Sequence, residues 1–171
     1  MFRAMRRSKQ VLTADVTEAV LARGSNGILA CLGDDDYPYA VPLNYVYDDG
    51  KIYFHSAKAG HKVDAIARHP KVSFAVVDED RIVSAEYTSY FRSVVAFGRA
   101  RVVQGEEWSR AFTLLVEKYS SDQAEADKAR EVATCAQALL IAIDIEHLSG
   151  KEAKELAAER REQKVNGENV I

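Results

Sequence analysis

Cysteine, proline and tryptophan are scarce in this 171-residue chain, and nowhere does a long apolar run occur. Two cysteines, Cys31 and Cys135, sit far apart in separate apolar stretches. They exclude a disulfide-dense scaffold and read as reduced core or near-core thiols. No segment approaches the roughly 18 apolar residues that a membrane-spanning helix requires. The basic start, Met1-Phe2-Arg3-Ala4-Met5-Arg6-Arg7, is not followed by the apolar stretch of a secretory signal. The expected compartment is the cytoplasm, with no membrane partner. Excess positive charge is missing too: a formal net charge of -3 argues against nucleic acid as a partner. Nucleophile elbows and phosphate-cradling glycine loops are absent, and Gly24-Ser25-Asn26-Gly27 lacks the dinucleotide fingerprint. His55, His61 and His69 have acids such as Asp64 nearby but do not form a metal-ligand motif, so no metal is expected.

What remains is a composition of ordinary globular type, 47% hydrophobic and 29% charged, in a length that suits one domain. Thr13 to Gly24 predicts a short helix, with an N-cap hydroxyl, early acids and a glycine stop. Strand patterns follow at 28–32, 39–47 and 51–55. Asp48-Asp49-Gly50 between the last two is a hairpin signal. A three-residue turn there would set Tyr45 opposite Tyr53 and Asn44 opposite Phe54. Pro42 has no amide to donate, so it belongs at an edge, a bulge or an interruption. Helical period returns over 59–69, then strand at 72–77, a turn at Asp78-Glu79-Asp80 and strand at 81–87. A long strand over 93–103 carries Gly98 as a bulge, and helices over 106–119 and 123–133 precede a last strand at 138–145. The charged stretch from Gly150 is helix-prone with little apolar face, which sets a domain over 1–149 and a helical tail over 150–171.

Chemistry concentrates between Tyr53 and Lys62. A helix start carries partial positive charge and unpaired amides, and so favours acids. Here Lys58, His61 and Lys62 crowd it, with no carboxylate before Asp64, and Gly60 lets a backbone approach closely. Two readings stand: the cations extend into water, or an anion resolves the conflict. His55 likewise reads either as a hydrogen-bonded strand histidine or as a catalytic candidate. Tyr87, Tyr90 and Phe91 could stack on a flat ring or simply pack.

Several blocks together resemble a known family. Tyr37-Pro38-Tyr39-Ala40-Val41-Pro42-Leu43-Asn44-Tyr45-Val46, Ile52-Tyr53-Phe54-His55-Ser56-Ala57, Gly60-His61-Lys62, Tyr90-Phe91-Arg92-Ser93-Val94 and Gly98-Arg99-Ala100 are similar, in that order, to flavin-binding split-barrel proteins related to pyridoxamine 5'-phosphate oxidase. The likeness runs over about 5–150 and is nearest to the nitroimidazole-resistance, nitroreductase-like branch. It implies a mainly β fold with peripheral helices, a six-stranded antiparallel Greek-key split barrel, and a homodimer with FMN at the subunit interface. By the same resemblance, Lys62 with Ala57, Gly60 and His61 would hold the phosphate. His55 and Ser56 would line the site, and the backbone of Val41, Pro42, Leu43 and Asn44 would meet the flavin ring. Tyr90 and Ser93 would approach the same cleft from the partner subunit. The implied activity is an FMN-dependent oxidoreductase reducing a small oxidised substrate, such as a nitroaromatic, with electrons from a nicotinamide cofactor. The alternative is a non-catalytic flavin- or haem-binding or sensing module, for which His55 or His61 would be the axial ligand.

Overall fold

The structure is a computed structural model that describes residues 2–135 and 138–165, with side chains as far as 162. Residues 166–171, the end of the expected tail, lie outside the described residues. Seven strands form one antiparallel sheet: β1 (Asn26–Leu32), β2 (Pro38–Asn44), β3 (Val46–Asp48), β4 (Lys51–Ser56), β5 (Lys71–Val83), β6 (Thr88–Val102) and β7 (Leu139–Glu152). Their spatial order is β2-β1-β5-β6-β7-β4-β3. Five helices lie around it: α1 (Ala14–Arg23), α2 (His61–Arg68), α3 (Gly105–Tyr119), α4 (Glu125–Thr134) and α5 (Lys154–Val165).

The count of seven, where the resemblance implied six, has a local cause at Tyr45. The two outermost strands, β2 and β3, are consecutive and separated by that residue alone. One stretch of chain therefore pairs with β1 at one end of the ladder, then switches to β4 at the other. The ladder is open, but covalent continuity joins its ends, as in a split barrel. At the switch, Tyr119 replaces the missing strand. Its hydroxyl accepts the Tyr45 N–H at 2.8 Å and lies 2.7 Å from the Tyr45 carbonyl and 2.6 Å from that of Ser25. The Tyr45 side chain is fully buried, donates to the Leu21 carbonyl at 2.7 Å, and meets Phe74 edge-on. Burial, with Tyr119 and Asp78 close by, pushes its phenol pKa up.

Two apolar clusters explain the layers. Inward residues of the sheet, among them Leu29, Ile52, Phe54, Phe74, Val94 and Ile143, form the barrel interior with Val20 and Leu21 of α1. On the outer face of β4 and β7, Tyr53, Leu140 and Ala142 pack against Ala111, Phe112, Leu115 and Val116 of α3. Those four fall on one stripe of a helix whose first turn carries Glu106 and Glu107 and whose last carries Lys118, each at its favourable dipole end.

Three expectations are corrected. The β3–β4 turn has two residues, Asp49 (φ 46°) and Gly50 (φ 74°), a left-handed pair whose twist suits flanking strands. Register follows: Val46 faces Tyr53 and Tyr47 faces Ile52, so Tyr45 does not face Tyr53, and Asn44 pairs with Asn26 instead of facing Phe54. Asp78-Glu79-Asp80 is no turn. β5 runs through it with a bulge between Val77 and Glu79, because the Asp78 carboxylate is ion-paired to Arg23 and Arg92. The chain reverses later, at 84–87, where Tyr87 is left-handed. Finally, β7 extends to Glu152, so a boundary at 149 falls inside a strand. Ala153, Leu156 and Ala157 just beyond it are buried against the same chain. The Gly98 bulge is present, between Phe97 and Gly98, where a Cβ would meet the Asp144 carbonyl at 2.3 Å.

Candidate functional site

β4 carries Ile52, Phe54 and Ser56 toward the barrel interior by simple alternation. Ser56, the last of them, is 7% exposed, and its Oγ is buried without a hydrogen-bond partner. An unsatisfied buried hydroxyl costs about 1–3 kcal/mol, and the strand ends at this one. His55 projects to the opposite face, where it is exposed. The two neighbours therefore lie on opposite faces of β4.

From Ser56 the chain passes through Ala57, Lys58 and Ala59 to Gly60, which begins α2 with φ 128° and open space where a Cβ would lie. No side chain caps this start, and its only first-turn acid is Asp64. Lys62 is half-buried and makes no ion pair among the described residues. His61 is occupied elsewhere: its ring stacks on Tyr39 of β2 at 4.1 Å between centroids, and its Nε2 accepts the Asp34 N–H at 3.3 Å. Arg68 donates to the Asp34 carboxylate at 2.6 Å and, with His61 nearby, holds its pKa below the usual carboxylate range. These contacts fasten both ends of α2 to the β1–β2 connection.

That fastening brings β2, the end of β4 and the start of α2 together. β3 covers only Lys51 to Tyr53 of β4, so Phe54 to Ser56 have no strand partner on that side. β2 likewise pairs only with β1, leaving the other edge of Val41 to Asn44 free, with Pro42 on an edge strand where a missing amide is tolerated. The two edges diverge from Tyr45 and bound a wedge whose unpaired backbone groups need partners.

Tyr90 and Ser93 are not in this wedge. Ser93 pairs with Lys151 on β7, whereas Ser56 pairs with Leu139 on the same strand. Twelve residues of strand separate those partners, up to roughly 40 Å of extended chain. Across the ladder Pro42 runs level with Val95 through Ile28 and Ala75, so the β2 residues lie level with Ser93, whereas Ser56 stands far from Ser93 along β7. Sequence reasoning missed Asp34, Tyr39 and Tyr119, which set the wedge. The Asp34-Asp35-Asp36 run was a usable signal, but nothing links Tyr119 to Tyr45 along the chain.

Below β4, Arg101 donates to Glu107 and Asp144 at 2.7 Å each, and Tyr53 donates to Glu107 at 3.1 Å. Arg101 holds the Glu107 carboxyl below its ordinary range. Burial, then Glu107, pushes the Tyr53 phenol up to about 12. This network pins α3 to the strand that ends at Ser56.

Comparison with known proteins agrees with the architecture. A family model described as pyridoxamine 5'-phosphate oxidase matches residues 13–152. An uncharacterised protein of Rhizobium meliloti is 34% identical over 92 residues, 53% of this chain and 54% of that one; the chain thus aligns with about half of this curated relative's length. A solved FAD-binding protein from Mesorhizobium loti has TM-score 0.59 and 28% identity, covering 84% of this chain and 97% of that one. A candidate 5-nitroimidazole antibiotic resistance protein from Bacteroides thetaiotaomicron has TM-score 0.69 and 19% identity, covering 83% and 86%.

Proposed function

The chain belongs to the pyridoxamine 5'-phosphate oxidase family, and from that premise we propose that it is a flavoprotein that holds FMN and reduces a small oxidised substrate. The observation that carries this reading is the Ser56 hydroxyl, buried and unpartnered, leading into an uncapped helix start that gathers Gly60 and Lys62. A phosphate there would accept from the Ser56 hydroxyl, the α2 amides and the Lys62 ammonium. The free edges of Val41 to Asn44 and of Phe54 to Ser56 would take the polar rim of the ring. Lys58 and Ala57 stand beside the phosphate position. His61 supports the site by holding α2 on Tyr39, and His55 lines its outer face.

When bound, the flavin supplies the electron transfer, and the protein supplies binding, orientation and exclusion of water. No acid–base pair is then required of the chain. A nicotinamide cofactor is the donor and a nitroaromatic the first substrate to try. The working unit is a homodimer: Tyr90 and Ser93 complete the wedge of the partner. Supporting this, Val77, Ile82 and Tyr87 along the β5–β6 hairpin are 61%, 78% and 98% exposed, an apolar face suited to a second copy. Haem carriage has less support, because His61 is already engaged by Tyr39 and Asp34.

Absorption of the purified protein is the first test. Flavin bands on isolation, or on adding FMN, are expected. A chain that takes up no flavin would overturn the proposal. Lys62→Ala should weaken FMN about tenfold or more, the worth of a charge-assisted contact to phosphate. Equal affinity in a fluorescence titration would remove Lys62 from the phosphate site.

A further inference from the structure

We propose a second anion site, for the diphosphate of a nucleotide, where the N-terminal segment crosses the far end of β7. Met5, Arg6, Arg7 and Lys151 line one cavity of about 330 Å³ there. Most arginines of this net-acidic chain are ion-paired, as Arg23, Arg92, Arg101 and Arg160 illustrate. Arg6 and Arg7 are exceptions: among the described residues neither has a carboxylate within ion-pair distance. Lys151 also lacks one, and its ammonium instead lies over the Phe91 ring, 4.9 Å from the centroid. Three cations thus line one concavity with no carboxylate lining it among the described residues, and their mutual repulsion favours entry of an anion.

The segment that brings them is fixed in place. Val11 bridges to Lys151, and the Leu12 N–H donates to the Gly150 carbonyl at 2.9 Å. An adjoining cavity of about 380 Å³ shares Met5 and adds Arg3, Thr17, His147 and Ser149; its acid is Glu18. Together they offer room beyond a single phosphate, with polar atoms for a sugar. Two guanidiniums suit two phosphoryl groups, since each can grip an oxygen pair bidentately.

Lys151 is the strand partner of Ser93. On the reading of the preceding subsection, which this part of the inference rests on, Ser93 meets the partner's flavin. The cations would then stand at the rim of that flavin. They suit the diphosphate of a nicotinamide donor, since the flavin's own phosphate is taken by Ser56 and Lys62.

The test is calorimetric titration of inorganic pyrophosphate into the full chain carrying Lys62→Ala, which weakens anion uptake at α2. Saturable binding is expected, steeply weakened by salt. Adding Arg6→Ala and Arg7→Ala should weaken it about tenfold or more, and Arg6→Lys with Arg7→Lys should restore only part of it, since an ammonium keeps the charge but not the bidentate grip. No saturable binding, or binding indifferent to the alanine pair, overturns the site. This outcome is separate from flavin uptake, which is read by absorption. The Arg6→Ala, Arg7→Ala variant with Lys62 intact is then loaded with FMN and titrated with NADH and NADPH. A loss of nicotinamide-donor affinity in FMN-loaded protein assigns it to the donor.

Discussion

Ser56 is where residue-scale chemistry is most sharply defined. Its hydroxyl is hidden from water without a partner, so it weakens the empty protein and is ready to strengthen a loaded one. Ser56→Ala should therefore act with opposite signs. Without flavin the variant should be more stable by about 1 kcal/mol, and with flavin it should bind about three- to tenfold more weakly. Thermal unfolding with and without FMN reads both, and a destabilised empty variant would mean the hydroxyl is already satisfied. The cationic helix start around Lys62 was legible in the sequence, since charge placement against a helix dipole needs no tertiary knowledge. That His55 and Ser56 face opposite ways was implicit in strand alternation. That the Ser56 oxygen is orphaned was not, because satisfaction depends on what the fold brings near.

At the scale of elements, the feature that makes the wedge is the change of partner at Tyr45. A strand that leaves one neighbour for another must strand an N–H and a C=O between ladders, and the Tyr119 hydroxyl serves both. Tyr119→Phe keeps the ring and removes the oxygen. It should cost about 1–3 kcal/mol in denaturant unfolding, the penalty of leaving buried backbone groups unpaired. A loss below 0.5 kcal/mol would mean that water substitutes freely. Strands, helices and the Gly98 bulge were readable from periodicity and from glycine in a β-prone run. Register at Asp49-Gly50 differs by one residue from the three-residue expectation, since Asp49 adopts the left-handed conformation that a two-residue turn requires beside Gly50. The 78–80 acids read as a turn because the partners of Asp78, Arg23 and Arg92, lie elsewhere in the chain.

For the whole molecule, Ser56 and Ser93 stand twelve positions apart along β7 by their ladder partners, and the proposed homodimer is the arrangement that would bring both to one flavin. Light scattering should give twice the 19.0 kDa chain mass. Ile82→Glu, which puts a charge in the exposed apolar face of the β5–β6 hairpin, should yield monomers that bind flavin weakly. A monomeric wild type with full flavin affinity would remove the dimer from the scheme. The place of β7, inserted between β6 and β4, has one more consequence. Lys51 to Ser56 find their ladder partners in Leu139 to Asp144, made some ninety residues later. The β3–β4 hairpin must therefore wait, edge exposed, through nearly all of synthesis, and loop closure over that span slows its capture. The end of β4 that leads to Ser56 is thus completed only once β7 has been made, and a nascent chain halted before β7 has the residues of the proposed site without the strand that holds them.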